Sequence, residues 1–269
     1  MITNIKQLII AHAKEIGTKF DSKGYVASPG KNLILNFPNW NVIQVEIKNG
    51  KGNELKTYKK KPKFCAVHSS SCLCVNNFAK IKELGGKINF LSLGRFDNIN
   101  FEGAVSTGIS TPNLDVLLEN DDIICGVESK FTEIYSSKLP DTRGNLSKYK
   151  KRINQLINIP VGFEKTILDF YIQKPRMHLD VAQLIKHSLG LINSAKKKGK
   201  YPVLLYIYFQ PKEPTEPDFL HKKELAEFTK RISKFIEFKS MSYRDFWSYY
   251  KENSKLKEVV KLNMLRYEI

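Results

Sequence analysis

The run Pro202-Val203-Leu204-Leu205-Tyr206-Ile207-Tyr208-Phe209 constrains this chain more than any other feature. It carries no charge, has the length of a strand rather than a helix, and is apolar at every position. A strand of that kind must be covered on both faces, so it predicts a sheet with a layer on each side. Upstream, Leu179 to about Ser194 reads as a helix with Val181, Ile185, Leu189 and Ile192 on one stripe, followed by a basic loop from Lys196 to Lys200. Asn113 to Glu119 and Ile123 to Tyr135 read as strands rich in Val, Ile and Leu around the turn Asn120-Asp121-Asp122. Strand, helix, strand is an α/β pattern.

The rest of the chain is less regular. Thr3 or Asn4 is placed to cap a helix carrying Ile5, Leu8, Ile9, Ala13 and Ile16, which ends near Gly17. Residues 32 to 47 fit helix or strand. Ser70 to Leu84 reads as a helix stopped by Gly85-Gly86, after the basic run Lys59 to Lys63. Ile88 to Gly103 looks extended. Residues 136 to 178, polar and uneven, with Lys148, Lys150, Lys151 and Arg152 near Tyr149, read as an insertion. Pro211, Pro214 and Pro217 mark a loop, and helices are expected around Lys222 to Phe238 and Tyr243 to Lys251. The 269 residues fit one elaborated domain.

The net charge of +17 attracts polyanions, with nucleic acid the expected partner and a lysine coat on an ordinary enzyme the plainer alternative. No run reaches the ~20 apolar residues that span a bilayer, and the opening lacks a signal-peptide pattern. A cytoplasmic protein with free thiols at Cys65, Cys72, Cys74 and Cys125 is the expectation. Cys65, His68, Cys72 and Cys74 also invite a zinc reading, but their spacing is irregular, and on a helix Cys72 and Cys74 point to different sides.

The chemistry concentrates where the first two strands meet. Pro112-Asn113-Leu114-Asp115 is followed, after a spacer of twelve residues, by Glu128-Ser129-Lys130. Alternation along a strand puts Glu128 and Lys130 on one face, and pairing across the acidic turn sets Asp115 beside Glu128. Two carboxylates and a lysine suit phosphodiester hydrolysis: hard oxygens hold Mg²⁺, and the ammonium orients water or offsets developing charge. The plain alternative is a solvated strand edge with an incidental acid. Apolar neighbours on both sides argue against it, because an unpaired buried charge is costly. On the later helix Asp180, Gln183 and His187 share a face that could look into the same cleft. There Gln183 could hold the lysine, a water or a phosphate, and His187 could contact DNA or an acid, or simply be a satisfied buried histidine.

The stretch PNLDVLL followed by GVESKFTE resembles the PD-(D/E)XK nuclease superfamily, specifically restriction-endonuclease-like bacterial proteins. The resemblance runs over roughly residues 50 to 210, through Gly50 to Leu55, Ser70 to Asn76, Phe101-Glu102 and Leu179 to His187. It implies a restriction-endonuclease-like core, a mixed β-sheet flanked by helices, over about residues 64–210. Segments 1–63 and 211–269 would then be recognition or dimerisation elements. It further implies Asp115, Glu128 and the Ser129 carbonyl as metal ligands and Lys130 as the catalytic lysine. Glu102, in preference to Glu54, would be an additional catalytic acid that also ligates the metal, with Gln183 in support and Glu133 a structural acid. The expected activity is Mg²⁺-dependent (or Mn²⁺-dependent) cleavage of double-stranded DNA by a type II restriction enzyme. A homodimer and a cognate methyltransferase are the expected partners. Alternatives are a nuclease directed by DNA structure, damage or modification, and a non-catalytic DNA-binding protein.

Overall fold

The computed structural model describes residues 4–57, 61–136, 138, 140–156, 159–173 and 176–269. Thr3, as a first cap, and Lys59 and Lys60 of the basic run lie outside the described residues. Asn4 caps α1 (Ile5–Glu15), its side chain accepting from the Lys6 N–H at 3.2 Å. There follow α2 (Trp40–Asn49), α3 (Ser70–Leu84), β1 (Asn98–Ala104), β2 (Asn113–Glu119) and β3 (Ile123–Lys130). Next come α4 (Thr142–Lys151), α5 (Phe163–Ile172), α6 (Val181–Lys198) and β4 (Tyr201–Tyr208). α7 (Glu216–Ile232), β5 (Glu237–Ser242), α8 (Tyr243–Tyr250) and α9 (Lys257–Tyr267) complete the order.

The five strands form one mixed sheet in chain order, antiparallel from β1 to β3 and parallel from β3 to β5. β4 behaves as its composition demands. Val203, Leu205 and Ile207 enter a core with α1, α2, α3, α8 and α9, while Leu204, Tyr206 and Tyr208 enter a second core with α4 to α7. The fold is therefore α/β, with helices on both faces of a mixed sheet. Each fully buried Leu or Ile in these layers contributes roughly 1.5–3 kcal/mol.

Several expectations need correction. Residues 136 to 178 are not a peripheral insertion: α4 and α5 pack together, and Leu146, Tyr149, Phe163, Ile167 and Phe170 are buried in the second core. α6 runs on through Lys198 and stops at Gly199, whose φ of 66° suits glycine, so most of the basic stretch is helical. The helix placed at Lys222 to Phe238 is α7 plus the edge strand β5. β3 ends at Lys130, and Glu133–Tyr135 is a short 3₁₀ turn. Residues 40 to 49 are helical, and only the last part of the extended stretch before Gly103 joins the sheet.

Candidate active site

Strand register brings three acids to one level of the sheet. β1 pairs with β2 at Phe101↔Val116 and again at Gly103↔Leu114, skipping the level where Glu102 faces Asp115. β2 pairs with β3 as far as Val116↔Val127, so the same register continued by one residue sets Asp115 across from Glu128. Regular pairing lapses here for a visible reason. Glu102 has φ of 53°, a left-handed conformation that non-glycine residues rarely hold and that concentrates at functional sites. Side-chain alternation slips at the same place, since Leu114 packs in the second core but Val116 and Leu118 in the first.

With the ladder ended, side chains take its place. Asp115 Oδ2 accepts the Ser129 N–H at 2.7 Å, and the Ser129 carbonyl accepts the Ser70 hydroxyl at 3.2 Å. Lys130 Nζ donates to Glu128 Oε1 and, at 2.8 Å, to Gln183 Oε1. His187 Nδ1 stands 3.1 Å from Glu128 Oε2. Asp180 accepts the Gln183 N–H at 2.9 Å and caps α6, which fixes the helix that carries Gln183 and His187. That helix lies close to the sheet because Gly126 and Gly190 leave room: a Cβ at Gly126 would stand 2.9 Å from a Leu191 methyl, and one at Gly190 would stand 2.4 Å from a Val105 methyl.

Burial and charge act against each other in this cluster. Burial, reinforced by the Glu128 charge, pushes the Asp115 carboxyl well above the usual carboxylate range. Burial would also raise Glu128, but Lys130 and His187 outweigh it and hold the carboxyl at about 2. For Lys130 burial works downward, and the charges of Glu128, Glu133 and Asp115 win, keeping the ammonium protonated above its ordinary value. Glu102 is raised by burial, tempered by the Asn113 amide.

These groups line an open cavity of about 780 Å³ at the carboxyl end of β3, where α/β folds commonly bind ligands. Its wall also holds the N-terminal turn of α3 (Ser69, Ser70, Ser71) and the loop carrying Lys51, Gly52 and Glu54. Beyond the Lys130–Gln183 bond, a second lobe of about 580 Å³ shares Lys130, Glu133, Asp180 and Gln183. Asp115, Glu128, the Ser129 carbonyl, Lys130, Gln183 and His187 are thus brought together. Glu102 lies over Gly50, where a Cβ would fall 2.5 Å from its carboxylate, and it accepts from Asn113. Glu54 is 3.5 Å from Lys63, and Glu133 accepts the Phe131 N–H at 2.8 Å, stabilising its own turn. Sequence reasoning gave no role to Ser70, Asn113 or the cleft lysines Lys51 and Lys186. All four lie in the stretches that carry the resemblance, and Lys186 has a helical signal besides, three residues beyond Gln183 on the same face.

The donor set is hard oxygen and fits Mg²⁺, which binds through one or two carboxylates and keeps much of its water. Among the described residues no three His, Cys, Asp or Glu side chains are grouped so that they could hold a metal ion, which removes the zinc reading of Cys65, His68, Cys72 and Cys74. The four cysteines are buried free thiols. Among the described residues no helix is long and apolar enough to cross a membrane.

A family model described as restriction endonuclease associating with ARP matches residues 7–268. No curated protein and no solved structure matches the chain.

Proposed function

This chain belongs to the family of restriction endonucleases associating with ARP, and from that premise we propose that it is a Mg²⁺-dependent endonuclease of the PD-(D/E)XK type hydrolysing double-stranded DNA. The finer reading is a type II restriction enzyme that cuts a short sequence. One observation carries it: Asp115, Glu128 and Lys130 converge at the carboxyl end of β3, with the lysine held by both Glu128 and Gln183.

In this reading Asp115, Glu128 and the Ser129 carbonyl hold Mg²⁺, or Mn²⁺ in its place. The bound ion supplies positive charge beside the phosphate and acidifies a water. Asp115, raised by burial and by a neighbouring carboxylate, gains most from a cation. Lys130, charged at all physiological pH, orients the attacking water or stabilises charge developing on phosphorus oxygens. Gln183 keeps the ammonium aimed, and Lys51 and Lys186 on the cleft wall meet neighbouring phosphates. Glu102, at the same level of the sheet and accepting from the Asn113 amide, is the additional acid near the ion. A homodimer acting on a symmetric site, and a methyltransferase that protects host DNA, complete the proposal. The family description adds ARP as an associate.

The test is incubation of unmethylated plasmid and phage DNA with Mg²⁺, comparing the wild type with Asp115→Ala, Lys130→Ala and an EDTA control. Discrete fragments that disappear in all three controls are expected. Tight, salt-sensitive binding without cleavage of any of these DNAs would reject the restriction reading and turn attention to modified or branched DNA.

A further inference from the structure

Resting on the nuclease reading, we propose that His187 is a positioning residue that fixes the orientation of Glu128, so that α6 braces both ends of the Glu128–Lys130 pair. The helix spacing makes this possible: Gln183 and His187, four residues apart, stand one turn apart on one face of α6. Gln183 reaches Lys130 Nζ at 2.8 Å, while His187 Nδ1 reaches Glu128 Oε2 at 3.1 Å. Both the imidazole and the carboxylate are only 2% exposed, so no bulk water competes for them.

Nδ1 is fully buried, and apart from Glu128 Oε2, which it faces at 3.1 Å, it has no polar partner. A buried polar nitrogen in that state is costly unless the arrangement serves something. Glu128 explains it. Its Oε1 is held by Lys130, so a carboxylate restrained from that side alone would follow the lysine whenever the ammonium turned toward a phosphate. His187 gives the carboxylate a second contact, on the other oxygen, from a rigid helix packed through Leu184, Ile185 and Leu189. A proton on Nδ1 is all that is needed, and the neutral imidazole can carry it. Groups that orient metal-binding carboxylates typically matter about 10- to 100-fold in metal affinity or activity.

The experiment measures Mg²⁺ binding to the full-length protein by calorimetry, without DNA, for the wild type, His187→Ala, His187→Asn and His187→Gln, with melting curves alongside. Asparagine places its amide nitrogen near the position of Nδ1, whereas glutamine places it nearer Nε2. His187→Ala is expected to weaken Mg²⁺ binding about 10- to 100-fold, His187→Asn to recover most of the loss and His187→Gln not to. If His187→Ala fails to fold, the contrast between Asn and Gln still decides. Equal losses in all three variants would mean that the ring only fills space, and wild-type affinity in all three would mean that Glu128 needs no brace; either overturns the proposal. A wild type that takes up no Mg²⁺ would instead overturn the nuclease reading beneath it.

Discussion

At the scale of single residues, the site contains two acids pulled in opposite directions. Asp115 is raised, so the folded chain binds its proton more tightly than the unfolded chain does. Its contribution favours the fold at low pH and is lost as pH rises through the raised value. In EDTA, therefore, Asp115 should make the melting temperature fall as pH rises above the ordinary carboxylate value toward its raised one. Asp115→Asn, which keeps an oxygen for the Ser129 N–H, should flatten that slope and melt higher than the wild type at alkaline pH, while abolishing cleavage. Glu128 behaves in the reverse sense, and its contribution is lost only as pH falls toward about 2. Lys130→Met leaves that buried carboxylate without its main cation and should cost about 3 kcal/mol in denaturant unfolding. A matched pair of opposite stability changes would identify charge as the cause; two losses of similar size would point to packing. The spacing of Asp115, Glu128 and Lys130 was legible because strand alternation alone converts it into geometry. The alignment of Glu102 with them was not, since it depends on a left-handed φ and a lapse in register that no propensity announces.

At the scale of elements, legibility followed how strongly periodicity marked each segment. β2, α3 and β4 were readable because their apolar residues follow a clean period or fill an entire short run. β5 was missed because Glu237-Phe238-Lys239-Ser240-Met241-Ser242 is a mostly polar edge strand directly after a helix, where charged alternation is easily read as more helix. α4 and α5 did carry a signal, Leu146 and Tyr149 at i, i+3 and Phe163, Ile167 and Phe170 at i, i+4, i+7, but the density of lysine obscured it. On the proposed reading the element on which activity depends most is α6, because it carries two of the side chains that hold Glu128 and Lys130. Its closeness to the sheet is testable at Gly190. Gly190→Ala sets a Cβ 2.4 Å from Val105 Cγ2 and 2.9 Å from Val105 Cβ, a branched side chain that cannot move aside easily. The expected cost is about 1–3 kcal/mol, with kcat/KM falling further than stability alone explains as Gln183 and His187 are displaced. Adding Val105→Ala removes the 2.4 Å methyl contact but keeps the Cβ at 2.9 Å, so it should restore only part of both. If Gly190→Ala cleaves like the wild type, close packing of α6 is not what aligns the site.

At the scale of the whole molecule, the terminal segments are not appendages to a nuclease core. α1 packs against α9, His12 Nε2 meets the Leu265 carbonyl at 2.8 Å, and both helices bury side chains in the same core as α3 and the sheet. Truncating either would therefore open that core, so their share in DNA contact has to be tested by surface substitution instead. Charge provides the means. A net charge of +17 draws any duplex to the protein, but only lysines that meet phosphates release counterions on binding. Lys186 is the sharpest candidate: it lines the cleft from α6, half-buried, with burial lowering its pKa ahead of smaller effects from Asp180 and Lys148. Binding measured in EDTA, where no cleavage occurs, should weaken steeply with salt. Lys186→Gln should reduce the slope of log affinity against log salt by about one unit, whatever the DNA sequence. Lys257→Gln or Lys261→Gln, on α9 and outside the cleft lining, should leave the slope unchanged. Equal slopes for all three would mean that DNA is held by diffuse charge rather than in this cleft. A loss confined to Lys186 would place the backbone of the duplex in the cleft that Lys186 shares with Glu128 and Lys130.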